Sequence, residues 1–98
     1  MKPKKPEYAG VYTLEDTMKL MVSENYKERF IAEYIQLKIR AERLKFFIVD
    51  AKLEKTPHTC PISILETQLS IQEHLLHTLE TRASMEDIDL RYVAVKIR

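Results

Sequence analysis

Glycine is almost absent, with one residue in 98. Tight hairpin turns and phosphate-cradling loops depend on residues that tolerate positive φ, so this scarcity argues against a sheet-rich fold and against phosphate-loop architectures. Tryptophan is missing, and the single cysteine, Cys60, excludes an intramolecular disulfide and fits a reducing compartment. No signal peptide and no apolar run long enough to span a bilayer is evident, so a cytosolic setting without membrane contact is expected. Neither sign of charge dominates: 16 basic residues stand against 15 acidic ones, for a net charge of +1. No global field therefore draws the chain to nucleic acid or an anionic membrane, and nucleic acid is not an expected partner. A Walker loop, dinucleotide fingerprint, nucleophile elbow, zinc-protease helix and cleft-paired carboxylates are all lacking. The expectation is a non-enzyme without a cofactor.

What is present is 45% hydrophobic and 32% charged residues in a length typical of one domain. The expected fold is mainly α: an antiparallel, coiled-coil-like αα-hairpin with a short N-terminal helix and a C-terminal β-strand, oligomeric. Residues 1–7, with three lysines and two prolines, read as a disordered basic arm ahead of a single domain over 8–98. Tyr8 to Tyr12 suit a short extended segment. Thr13 followed by Asp16 opens a short helix with Leu14, Met18 and Val22 on one face. Ser23 is a candidate N-cap for a long helix over about 24–54, whose seam Phe30, Tyr34, Leu37, Ala41, Leu44, Ile48 and Ala51 steps alternately by four and three.

Pro57 breaks that helix in a loop over 55–60, and the Cys60-Pro61 step opens a third helix over about 61–83. Ile62, Leu65, Leu69, Gln72, Leu76, Leu79 and Ala83 form its seam. Two heptad helices joined by so short a loop run antiparallel. Seven-spaced rows Lys38, Lys45, Lys52 and Glu66, Glu73, Glu80 then pair Lys38 with Glu80, Lys45 with Glu73 and Lys52 with Glu66. The apolar seams give the same register. Each exposed pair contributes only about 0.2–1 kcal/mol, but the row disfavours slipped or parallel pairing. Ser84 is a candidate N-cap for a turn, and Val93, Val95 and Ile97 alternate as a strand, whose partner is either Tyr8 to Tyr12 or another chain.

Two features exceed what a hairpin needs. Ile31, Ile35, Ile39, Phe46, Val49 and Leu53 form a second apolar stripe on the long helix, expected to serve as an oligomer or partner interface, with cover by the first helix and strand as the competing reading. The opposite flank carries Arg29, Gln36, Arg40, Arg43 and Phe47, bordered by Gln68 and Arg82 from the third helix. Arginine forks grip phosphate or carboxylate and an aromatic ring stacks on a base, so this strip is a candidate ligand-binding site; a solvated face with a Glu33–Arg82 ion pair is the plainer alternative. His58, Cys60, His74 and His77 lack the spacing of a zinc site, and no metal is expected.

From Ser23 to Leu90 the chain resembles a family of small helical proteins encoded by phages and prophages of gut bacteria, including crAss-like phages. The resemblance rests on YKERFIAEYIQLKIRAERL at Tyr26 to Leu44, on Cys60-Pro61 with Leu65 and Gln68, and on LETRASMEDIDL at Leu79 to Leu90. It implies a viral accessory protein in the cytoplasm of an infected bacterium. Small proteins of that kind look like host-defence inhibitors, some of which sequester nucleotide second messengers in an oligomeric basic cleft. A protein–protein inhibitor that lays its apolar helix face on a host defence protein is the alternative.

Overall fold

A computed structural model describes residues 7–97 of the chain. The element order is β1 (Gly10–Tyr12), α1 (Thr17–Met21), α2 (Tyr26–Lys52), α3 (Ile62–Met85) and β2 (Val93–Val95). The expected basic arm lies outside the described residues, apart from Glu7.

The long helices pack as the antiparallel hairpin their seams require. Phe30, Tyr34, Ala41, Ile48 and Ala51 of α2 and Leu79 and Ala83 of α3 are buried. Lys52 Nζ meets Glu66 Oε2 at 2.9 Å, which fixes the register near the loop. The other two lysine–glutamate pairs do not close among the described residues. Near the far end Glu80 instead accepts a 3.0 Å bond from the buried Tyr34 hydroxyl, and Lys38 lies over the Tyr34 ring, 5.5 Å from its centroid. Burial first, then the bond to Glu80, holds the Tyr34 phenol well above its ordinary pKa.

Local chemistry moves several boundaries. Asn25, not Ser23, caps α2: its extended backbone (φ −81°, ψ 115°) lets Oδ1 accept from the Lys27 amide at 2.9 Å. Ser23 sits two residues before the cap, its hydroxyl donating to Glu28 and accepting from the Asn25 amide. Ser84 is no N-cap, because α3 continues through it to Met85. The helix stops where Asp87 adopts φ 57° and the Ile88 amide reaches back to the Ala83 carbonyl, a left-handed C-terminal closure. At the other end of the chain, Thr13 and Asp16 exchange the reciprocal bonds of a capping box. The face of α1 differs from expectation, since Met18 and Val22 are exposed and Thr17 is buried. Gln36 Nε2 donates to Thr17 Oγ1 at 2.9 Å, which turns Thr17 toward α2.

β1 and β2 pair within the chain, in parallel, with Gly10 opposite Val93 and Tyr12 opposite Val95. A parallel pair needs a long crossover, and the whole helical hairpin supplies it. This closure answers the question of the second stripe. Ile31, Ile35 and Ile39 have no exposed surface and cluster with Leu79, Ala83, Ile88 and Val93, while Tyr12, Leu14 and Leu20 pack against them. That half of the stripe is intramolecular core, so the expectation that Ile31, Ile35 and Ile39 await a partner is corrected. Sheet and α1 end before the last turns of α2, and there Phe46, Val49 and Leu53 remain exposed.

Candidate ligand-binding strip

Gln36, Arg40, Arg43 and Phe47 follow steps of four, three and four along α2 and so share one flank. Arg29 lies on the same flank near the helix start. How each side chain is held decides what the strip offers. Arg29 Nη1 donates to the Ser23 carbonyl at 2.7 Å, and Arg43 Nε donates to the Ile97 carbonyl at 2.9 Å. A carbonyl orients a guanidinium without neutralising it, so both cations keep their charge and most of their donors. Arg40 is exposed and makes no hydrogen bond or ion pair among the described residues.

Arg82 is different. Its guanidinium is bonded to the Glu86 carboxylate and stacks over Phe30, 4.9 Å from the ring centroid. The shared bond raises the Arg82 pKa and lowers that of Glu86, so the pair is locally neutral. Glu33 acts on Arg82 through space but is not its bonded partner. Gln36 is committed to Thr17 and to a weak 3.5 Å contact with Met21 Sδ. Phe47 lines a groove of about 450 Å³ with Pro57, His58, Cys60 and Leu65, and Gln68 stands exposed on α3. The structure thus brings Arg40, Arg43 and Phe47 together as an open, cationic and aromatic strip, with Arg29 along the same flank. Arg82 and Gln36 border it as fixed supports.

Spacing did not reveal a groove of about 600 Å³ on the other side of the hairpin, where Lys45, Lys52, Glu66, Glu73, His74 and His77 mix both signs. The lysine and glutamate rows were its visible signal. Among the described residues no three His, Cys, Asp or Glu side chains come together to hold a metal ion. His58 Nδ1 instead contacts the Cys60 carbonyl at 2.7 Å. No described helix is long and apolar enough to cross a membrane.

An antiparallel hairpin with one flank of oriented, un-neutralised arginines is a scaffold suited to holding an anionic partner. The Sequestin family model matches residues 24–85, the span of both hairpin helices and their loop, and the chain belongs to that family. The family name is consistent with a sequestering function. Comparison with curated proteins and with solved structures finds no match.

Proposed function

We propose that this chain is a non-enzymatic, phage-encoded sequestering protein, acting in the cytoplasm of an infected bacterium as a host-defence inhibitor. Its ligand is a phosphate-bearing nucleotide second messenger, held in a basic cleft between copies of the chain. One observation carries the reading: Arg29 and Arg43 are fixed by carbonyl oxygens and Arg40 is unpaired among the described residues, so three cations on one flank remain available to phosphate. Phe47 offers a ring for a base to stack on. Membership of the Sequestin family supports retention of a partner over its conversion. Titration by calorimetry with cyclic dinucleotides, cyclic oligoadenylates and ADP-ribose derivatives tests it. Saturable heat with one of these is expected, and silence with every one refutes the reading.

Exposed Phe46, Val49 and Leu53 favour a second reading, a helix-in-groove contact with a host defence protein. Stoichiometric recovery of one host protein, lost in Val49→Asp, would support that alternative.

A further inference from the structure

In the last turns of α2 the arginine flank runs into a groove of about 450 Å³, a size within the ~300–1,000 Å³ of small-molecule clefts. Phe47, 37% exposed, forms one wall, and Pro57, His58, Cys60 and Leu65 complete it. Most of that lining is apolar. Pro57 and His58 also border a second opening with Glu54 and Lys55, but that one has neither a phenyl ring nor an arginine.

His58 gives the groove a polar group of defined sense. Its Nδ1 lies 2.7 Å from the Cys60 carbonyl oxygen. A carbonyl oxygen can only accept, so Nδ1 carries the proton, and in the neutral imidazole Nε2 is left as an acceptor. Nε2 has no partner among the described residues. The groove therefore suits a flat, largely apolar ring with a hydrogen-bond donor on its edge.

The helix selects which edge that is. Arg43 and Arg40 stand before Phe47 by about 6 and about 10 Å along the axis of α2, a separation that one ribose bridges between a base and its phosphate. With phosphate on the arginines and the base on Phe47, the sugar side of the base points back along α2 and its far edge points to the loop. In a purine that edge carries the substituent at C6. Adenine places an amine there, a donor matched to Nε2. Guanine and hypoxanthine place a carbonyl oxygen there, whose lone pairs oppose that of Nε2, and must shift in the groove to offer N1–H instead. Cytosine also carries an amine but gives Phe47 a smaller ring to stack on.

We propose that this groove is the base-reading half of the ligand site, taking the adenine of an adenosine phosphate and favouring it over 6-oxo purines through His58 Nε2. The assignment rests on the reading of the arginine strip as a phosphate site and adds selectivity to it. Arginines that grip phosphate are blind to the base, whereas contacts to the base edge discriminate.

Calorimetry on the full chain compares cyclic di-AMP, cyclic tri-adenylate and ADP-ribose with their hypoxanthine counterparts and with cyclic di-GMP. The adenine compound that binds should do so about tenfold more tightly than its hypoxanthine counterpart, the effect of one hydrogen bond. His58→Phe keeps an aromatic wall but removes the acceptor, so the pair should then bind equally. A purely structural role for His58 would instead weaken both and preserve their ratio. Cys60, the only thiol in the chain, reports occupancy directly, because its alkylation by iodoacetamide should slow in proportion to bound adenine compound. Equal affinity of an adenine compound and its hypoxanthine counterpart, a preference that survives His58→Phe, binding of cyclic di-GMP alone, or alkylation unchanged at saturation overturns the groove assignment and leaves the arginine strip standing. Absence of heat with every compound removes the strip reading and the groove assignment with it.

Discussion

Ile35 and Val49 belong to one stripe of α2, yet the fold treats them differently, and truncating each should expose that difference. Ile35 has no exposed surface, whereas Val49 is 49% exposed. Ile35→Ala removes a β-branched side chain from the cluster of Ile31, Ile39, Leu79, Ile88 and Val93. Loss of transfer free energy plus the residual cavity costs about 2–5 kcal/mol at such a site, and the close packing against the sheet puts the expectation at ~3–4 kcal/mol. A domain this small has about 5–15 kcal/mol in total, and each kcal/mol moves Tm by about 4–8 °C. The melt should therefore fall by at least ~12 °C in Ile35→Ala. In Val49→Ala it should change by less than about 0.5 kcal/mol. Urea titration followed by circular dichroism reads both, with the midpoint shifting and the slope unchanged. A loss below ~1 kcal/mol for Ile35→Ala would refute the intramolecular burial of the stripe, as would a cost equal to that of Val49→Ala.

Three further outcomes follow from single contacts. Asn25→Ala removes the α2 cap and should cost about 1 kcal/mol by urea titration. Asp89 is gripped by the Arg91 guanidinium and amide at 2.7–3.2 Å, which lowers its pKa to about 2 from an ordinary 3.8. Its folded pKa lies below the unfolded one, so its contribution is present above about pH 4 and is lost as pH falls toward 2. Asp89→Asn should flatten that part of the acid limb. A double-mutant cycle on Lys52 and Glu66, both half-exposed, should give a coupling of only about 0.2–1 kcal/mol that shrinks in high salt.

The hairpin was legible because α2 and α3 each carry a seam of constant spacing and Pro57 interrupts them once. The two helix periods and the lysine and glutamate rows point to one register, and Lys52–Glu66 carries it in the structure. Strand pairing was not legible in the same way. Three-residue strands such as Gly10–Tyr12 and Val93–Val95 contain too little pattern to name their partner, and only the closed path of the chain brings them side by side. That closure also hid the fate of Ile31, Ile35 and Ile39, because periodicity reveals a stripe but not what lies across it. For the arginine strip, spacing identified the flank. It could not separate Arg82, neutralised by Glu86 one turn away, from Arg29 and Arg43, which are held by backbone oxygens of distant or irregular segments.

The proposed role of the un-neutralised arginines on one flank of α2 is to hold a phosphate-bearing nucleotide. Its most direct test is calorimetric titration of the wild type and of Arg40→Ala/Arg43→Ala with the same panel of cyclic dinucleotides, cyclic oligoadenylates and ADP-ribose derivatives. Saturable binding to at least one of these by the wild type is expected. Affinity should be at least tenfold weaker in the double variant, a loss of about 1.4 kcal/mol or more, with the fold and particle mass retained. Absence of heat with every compound, or equal affinity in the double variant, would contradict it.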